Sequence, residues 1–256
     1  MKLSYRRKGR PEPKRPRKED LMFGTYNAPL NITQEGISLS VQKDGKNLIY
    51  HRDCLGGQVE KHLLASKGKI LLNPVEPVNR PKALTPYLLI EFEKALLSKP
   101  KETRTIFLRF PLEIGVYIST DTDFEILDIF SLTNHKFTLY GDPRNGVICK
   151  YWKSSVYSTI PSLSTLQEGI IELTITNTNS HWIEVTKAIF NAYGMKVYYN
   201  KTTASMKANI NIKTKETAET EFIDTPLQKG MKKSLEIYAS RKISVVKPKF
   251  IMEFGL

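Results

Sequence analysis

Short apolar stretches separated by turn residues fill the middle of the chain, from Phe107 to Tyr157. They are rich in β-branched and aromatic residues, and turn signals close them. Elsewhere, Met206–Ile212 alternates apolar and polar residues, which places its apolar side chains on one face of a strand. This pattern predicts a mainly β protein, either an antiparallel sandwich or two packed β modules, with one or two short helices.

The same pattern predicts strands along most of the chain after Leu21. The predicted strands are Ile37–Val41, Asn47–Arg52, Lys69–Leu72, Tyr87–Phe92, Thr105–Phe110, Ile114–Ile118, Phe124–Leu132, Lys136–Tyr140, Val147–Trp152, Gly169–Thr176, Met195–Tyr199, Met206–Ile212, Thr220–Ile223 and Phe250–Phe254. Asp44-Gly45 predicts a hairpin turn between the first two strands, because this pair tolerates positive φ. The stretch NPVEPVNRP predicts an extended connector or an edge segment, because proline cannot donate a ladder hydrogen bond.

One segment, His181–Tyr193, has helical spacing. Its apolar residues Trp182, Val185, Ala188, Ile189 and Ala192 recur three or four positions apart, and Gly194 follows where a C-terminal cap belongs. We therefore predict a helix at Trp182–Tyr193. The segment Lys229–Ala239 is ambiguous, and a short helix is one interpretation of it.

The net charge of +13 is concentrated at the start of the 256-residue chain. Glu12, Glu19 and Asp20 are the acidic residues among the first twenty, and the nine basic ones are Lys2, Arg6, Arg7, Lys8, Arg10, Lys14, Arg15, Arg17 and Lys18. These charges, with three interspersed prolines, predict a disordered basic arm over residues 1–20. Residues 21–256 are predicted to form a β-rich globular region with a weak internal boundary at 158–168. The arm would bind nucleic acid or an anionic surface by charge, or it is only a solvating tail.

The sequence indicates no cofactor. Cys54 and Cys149 have no metal-ligand or redox spacing, and two free thiols in a reducing cytosol are favoured over a disulfide. The four histidines share no ligand spacing. The acidic residues Asp121, Asp123, Glu125 and Asp128 could bind a hard cation, but a solvated strand entry is the simpler interpretation. No stretch of about 18 apolar residues predicts a spanning helix, and no secretory signal follows the arm. We therefore expect a cytoplasmic protein.

The best candidate for a ligand or partner site is the turn Gly141–Gly146, where polar residues are presented between two strands. The candidate residues there and on the following strand are Asp142, Arg144, Asn145, Lys150 and Trp152. An ordinary connecting turn is the alternative. Cations and aromatic residues also interleave around Arg109 and Tyr151, which would suit base stacking. However, Tyr151 and Trp152 cannot both line one groove of a regular strand. Arg109 and Glu113 flank Pro111 and are candidates for an ion pair.

Several phrases occur here in a characteristic order: MFGTYNAPL, NPVEPVNRP, TIFLRFPLEIGV, FTLYGDPRNGVICKYWKSSVY and KFIMEFGL. From about Met22 to Leu256 the chain resembles an uncharacterised archaeal family, domain of unknown function four-three-two. The resemblance implies an archaeal cytoplasmic setting and no established activity, cofactor or catalytic residue. The basic arm before Met22 lies outside it.

Three functions remain open on these observations. The leading hypothesis is a non-catalytic binding or scaffolding module with an unidentified protein partner. The second is a nucleic-acid-associated protein that uses the basic arm. The third is an enzyme whose polar residues converge in space, around His135, Asp142, Arg144 and Lys150. A deep pocket lined by these four residues would favour the enzyme, whereas a flat positive face would favour nucleic acid.

Overall fold

A computed structural model describes residues 22–34, 36–82, 84–119, 124–237 and 249–256. Strands make up most of it. In chain order they are β1 (Gly24–Asn27), β2 (Leu30–Gln34), β3 (Ile37–Asp44), β4 (Asn47–Cys54), β5 (Gly57–Leu63), β6 (Lys69–Val75), β7 (Tyr87–Ser98), β8 (Thr103–Pro111), β9 (Glu113–Ser119), β10 (Phe124–Phe130), β11 (Lys136–Tyr140), β12 (Val147–Ser154), β13 (Glu168–Asn177), β14 (Ile183–Asn191), β15 (Tyr198–Tyr199), β16 (Ala204–Ile212), β17 (Ala218–Ile223), β18 (Lys232–Lys233) and β19 (Phe250–Met252). The predicted mainly β class is confirmed. The basic arm lies outside the described residues.

The strands form four sheets. Sheet A has the order β1-β6-β9-β10, sheet B the order β2-β3-β4-β5, and sheet C the order β11-β12-β7-β14. Sheet D has the order β18-β15-β16-β13-β8, with β17 paired to β16 and β19 paired to β17. Most neighbours are antiparallel, as predicted, but β12 runs parallel to β7 and β13 runs parallel to β16. These parallel pairs depend on crossovers that the local pattern of the chain does not indicate.

Alternation along the strands decides which side chains enter the core. On β16 the side chains of Met206, Ala208, Ile210 and Ile212 are buried, whereas Lys207, Asn209 and Asn211 are half-buried. One hydrophobic cluster combines residues from all four sheets, including Leu39, Ile70, Ile90 and Ile171. The irregular connection between β12 and β13, where we predicted a weak boundary, contributes the buried Leu166 to this same cluster.

The predicted helix at Trp182–Tyr193 is wrong: Ile183–Asn191 is the strand β14, which pairs with β7. Its register shifts between Val185 and Lys187, and such a bulge reverses the side-chain alternation. The buried residues of β14 are Ile183, Val185, Ala188, Ile189 and Phe190, and the spacing of Val185, Ala188 and Ile189 imitates a helix. Only the 3₁₀ turn Ala192–Gly194 is helical among the described residues.

Two local predictions concern turns and prolines. The β3–β4 hairpin turns at Gly45, whose φ of 59° is in the left-handed region, as the Asp-Gly pair predicts. Strand β6 pairs with β1 only through Lys69–Leu72, so its remaining residues, which include Pro74, pair with β9 alone. The proline thus lies where one side of the strand is free of ladder partners.

Cys54 and Cys149 are free thiols. No helix in the described part of the chain is long and apolar enough to cross a membrane.

Candidate functional site

A buried carboxylate, Asp128, is the centre of a cluster of charged side chains. It lies on β10 next to a bulge at Leu127, where the register against β9 shifts. Its Oδ2 accepts hydrogen bonds from Arg52 Nε at 2.8 Å and from Tyr50 OH at 3.0 Å, both on β4. Its Oδ1 accepts from Arg80 Nη2 at 3.2 Å. Asp128 therefore joins sheet A to sheet B and orients two arginines.

Arg52 is almost completely buried, with 1% of its side chain exposed. Its Nη1 donates to the carbonyl of Gly57 at 2.6 Å, and the guanidinium lies 5.5 Å from the centre of the Phe130 ring. Burial alone lowers the pKa of an arginine, but the hydrogen bond and charge of Asp128 outweigh it and raise the pKa of Arg52. Burial, followed by the charge of Asp128, raises the pKa of Tyr50, so this phenol stays neutral.

A second buried pair lies beneath this region. Lys150 Nζ on β12 is 2.7 Å from Glu113 Oε1 on β9, with 2% and 0% of the side chains exposed. Glu113 also accepts from the backbone N–H groups of Asn79 at 2.9 Å and Arg80 at 3.3 Å. Burial lowers the pKa of Lys150 despite the attraction of Glu113. The pair thus anchors the connection between β6 and β7, which carries Arg80.

Of the two arginines bound to Asp128, Arg80 is the one that faces solvent. Its Nε donates to the carbonyl of Ile129 at 2.7 Å and its Nη2 to Asp128, while 41% of its side chain stays exposed. Nη1 has no hydrogen-bond partner among the described residues. The guanidinium is therefore fixed along one edge and open along the other, which is the geometry that binds carboxylate or phosphate oxygens in a fork.

Two cavities, together called the cleft, meet at Arg80 and Pro81, which line both. The His135 lobe has a volume of about 310 Å³, and its polar lining comprises Arg52, Arg80, Ser131, Thr133, Asn134 and His135. The Lys61 lobe has a volume of about 630 Å³, and its lining includes Lys61, Asn79, Arg80, Lys82 and Asp128. Lys61 Nζ donates to the carbonyl of Leu127 at 2.5 Å. The two linings carry four formal cations and one carboxylate, so the cleft has a positive potential.

Burial and two nearby cations act on His135. Partial burial, followed by the charges of Lys150 and Arg80, lowers the pKa of His135 to about 4. The imidazole is consequently neutral near pH 7 and has one N–H donor and one acceptor nitrogen. An anion placed in the lobe would oppose the two cations and raise this pKa, which makes His135 a reporter of occupancy.

The structure separates the residues of the predicted turn site. Asp142 Oδ1 accepts from the backbone N–H groups of Arg144 at 2.8 Å and Asn145 at 3.2 Å, so it stabilises its own turn. It also lines a different depression, the sheet C groove of about 760 Å³, together with Glu91, Tyr151 and Lys187. Arg144 and Asn145 are exposed and line neither lobe of the cleft.

Lys150 and Trp152 lie on the opposite face of sheet C from Tyr151. Lys150 is buried against Glu113, and the indole Nε1 of Trp152 is buried and has no hydrogen-bond partner in the part of the chain that the structure describes. Of the four residues grouped in the enzyme hypothesis, His135 and Lys150 lie close enough to interact, while Asp142 lines the groove on the other side of the sheet.

Two further groups of predicted residues have different partners. Arg109 Nη1 lies 3.5 Å from Glu168 and its guanidinium 5.1 Å from the Tyr157 ring centre, so the suggested Arg109–Glu113 pair is wrong. Asp128 pairs with Arg52 and Arg80 rather than with a metal ion, and Asp121 and Asp123 lie outside the described residues. Within the described ranges no group of three or more His, Cys, Asp or Glu residues could hold a metal ion.

Sequence reasoning missed Arg52, Arg80 and Lys61. The available signal for Arg80 was its position in NPVEPVNRP, where it is the single basic residue of a Pro-rich stretch. Arg52 and Lys61 carried no local signal, because their partners lie 76 and 66 residues away along the chain.

Comparison with known proteins identifies a family without a described activity. Residues 22–253 match the model of the family described as Protein of unknown function (DUF432). A search of curated proteins and a search of solved structures each found no significant match. The function therefore has to be argued from the residues themselves.

Proposed function

The chain belongs to the family described as Protein of unknown function (DUF432), and we propose that it is a non-catalytic binding module that holds an anionic ligand in the cleft at Arg80. The observation that carries the proposal is the charge of the cleft lining, four cations against one carboxylate. Cations gathered around a concave site repel one another, and a bound anion relieves this repulsion.

The positioning of Arg80 supports the same proposal. Its guanidinium is held by the carbonyl of Ile129 and by Asp128, while Glu113 fixes its backbone. An arginine immobilised in this way loses little conformational entropy when it binds, so more of the interaction energy appears as affinity. A partner protein that offers an anionic group to the cleft would use the same contacts, so a scaffolding role is included in the proposal.

We place the module in the cytoplasm. Support for this comes from the two cysteines, both of which are free thiols, since disulfides form mainly in oxidising compartments.

The test is titration of the full chain with inorganic phosphate, followed by calorimetry and by the NMR signals of His135. Phosphate is expected to bind and to raise the pKa of His135 from about 4. Arg80→Gln should weaken binding at least about tenfold, because it removes the fork. Arg144→Gln is the matched control: it removes the same charge from the exposed turn and should leave affinity unchanged. Equal losses in both variants, or no binding by the unmodified chain, would refute the proposal.

Nucleic-acid binding is a second candidate, favoured by the nine basic residues among the first twenty. Such a segment neutralises phosphates and releases counterions, so log K should fall with log salt by about 0.9 per phosphate on duplex DNA and about 0.7 on single strands. Binding of duplex DNA and of single-stranded RNA should be measured at two salt concentrations, with and without residues 1–20. Binding that is absent at low salt, or that survives loss of the arm, would exclude this function for the arm.

A further inference from the structure

The two lobes of the cleft lie on either side of one arginine, and from this arrangement we infer that the ligand carries a diphosphate group, with one phosphate in each lobe. This inference rests on the proposed anion-binding function and narrows its ligand class. Arg80 and Pro81 are the residues that line both lobes. A ligand that contacts Arg80 can therefore extend in two directions, toward Asn134 and His135 or toward Lys61 and Lys82.

The free donors of Arg80 fit a ligand with two groups. Nε–H and one Nη2 hydrogen are committed to Ile129 and Asp128. Both hydrogens of Nη1 and the second hydrogen of Nη2 remain for a ligand. A single carboxylate accepts at most a bidentate pair from this edge, whereas two adjoining phosphates offer oxygens to each donor.

The charge of the site selects phosphate over carboxylate. Four cations and one carboxylate leave an excess of three positive charges along the cleft. A carboxylate contributes a single negative charge, and one phosphate monoester contributes about 1.5 to 2 at pH 7. Two joined phosphate groups come closest to neutralising the site.

The two lobes offer different chemistry to the two phosphates. The His135 lobe supplies neutral donors, the Asn134 amide and the His135 imidazole, above the buried guanidinium of Arg52. The Lys61 lobe supplies the ammonium groups of two exposed lysines, Lys61 and Lys82, which act as point charges. The Nζ of Lys61 is oriented by its hydrogen bond to the carbonyl of Leu127. The smaller His135 lobe thus suits a phosphate held by directed hydrogen bonds. The larger Lys61 lobe suits a phosphate held by ion pairs, with space for the rest of the ligand to which it is linked.

The first experiment uses the unmodified full chain and compares orthophosphate with pyrophosphate by calorimetry, in EDTA to keep metal ions out. Because the second phosphate binds as part of the same molecule, pyrophosphate is expected to bind about 100-fold tighter than orthophosphate. This ratio needs no variant, so the folding of a mutant cannot obscure it. Equal affinities within about threefold would overturn the diphosphate inference while leaving the anion-binding function intact; no binding of either ligand would overturn both.

The second experiment tests each lobe separately. Asn134→Ala with His135→Ala alters one lobe, and Lys61→Gln with Lys82→Gln alters the other. Each pair should weaken pyrophosphate at least about tenfold. The matched control is Lys43→Gln with Lys46→Gln, which removes two exposed lysines from the β3–β4 hairpin of the same sheet B. If the control loses as much pyrophosphate affinity as the Lys61 and Lys82 variant, the effect comes from net charge alone, and the inference is overturned.

A short thymidine oligonucleotide of eight residues distinguishes a diphosphate from a nucleic-acid backbone, whose phosphodiesters carry one charge each and are set apart. We expect it not to displace pyrophosphate at equal concentration. Displacement that depends on Arg80 would instead assign the cleft to nucleic acid and overturn the diphosphate inference.

Discussion

The cleft at Arg80 and the sheet C groove are both open depressions lined by charged side chains, yet they differ in how those charges are satisfied. In the groove, Asp142 accepts hydrogen bonds from its own turn, burial followed by the charge of Glu91 raises the pKa of Tyr151, and Lys187 Nζ lies 5.9 Å from the Tyr140 ring centre. In the cleft, one carboxylate serves two arginines, and Arg80 keeps free donors.

Size does not separate the two regions, because the groove, at about 760 Å³, exceeds either lobe. What separates them is the charge left over after the protein has paired its own groups. Where the polar groups of a depression already bond to one another, a ligand adds little interaction energy. Where oriented cations are in excess, an anionic ligand supplies the missing counter-charge and binds favourably. The comparison can be tested by removing matching residues from each region.

The largest expected difference is between the two aspartates. Asp128→Ala leaves the buried Arg52 without its counter-charge and Tyr50 without its acceptor, which should lower the free energy of unfolding by about 3–5 kcal/mol. Asp142→Ala removes only exposed turn hydrogen bonds and should cost about 1 kcal/mol or less. Urea unfolding at pH 7 measures both. Similar losses in the free energy of unfolding would show that Asp128 contributes no more to stability than Asp142.

Lysines provide the next comparison. Lys150→Met leaves Glu113 buried and uncompensated and should cost about 3 kcal/mol, whereas replacing both partners, with Glu113→Gln added, should recover at least half of it. Lys187→Met in the groove should cost about 1 kcal/mol, since it removes one partly buried cation–π contact. A double variant no more stable than Lys150→Met alone would mean that Glu113 acts mainly through the backbone of Asn79 and Arg80.

The contrast between the regions also shows what the sequence could predict. The turn at Asp142 is a local structure, written in six consecutive residues, and its position between β11 and β12 was predicted correctly. The cleft is assembled from β4, β5, β10 and two connections, and the ion pair between Lys150 and Glu113 joins residues 37 apart. Such contacts depend on the order of strands in the sheets, which alternation does not specify.

The misassigned helix has the same origin. Alternation predicted the strands of sheet D, where the register is regular over β13 and β16. It failed at β14, because a bulge between Val185 and Lys187 moves the buried positions from a period of two toward the spacing of a helix. The β-branched Ile183, Val185 and Thr186 were the local sign of a strand.

A smaller difference is expected between the two exposed arginines. Arg80→Gln removes hydrogen bonds to Ile129 and Asp128 and should destabilise the fold by about 1 kcal/mol, a value kept low because the side chain is partly solvated. Arg144→Gln should stay within about 0.5 kcal/mol. Thermal or urea unfolding of the two variants gives the comparison. A larger loss for Arg144→Gln would place the structurally important arginine at the turn.

The smallest effect concerns the pH dependence of the cleft. The pKa of His135 is about 4 in the folded chain against 6.5 for an unperturbed histidine, so between these values the unfolded chain binds more protons than the folded one. Stability should therefore fall as the pH drops from about 6.5 to 4 and be constant with respect to this group above that range. Since His135 is exposed on one side, its contribution should be less than about 1 kcal/mol. His135→Gln removes the titration, so the stability of the unmodified chain relative to this variant should decline on acidification. A pH-independent difference, or a C2–H titration near 6.5, would show that neither burial nor the charges of Lys150 and Arg80 lower the pKa of the imidazole.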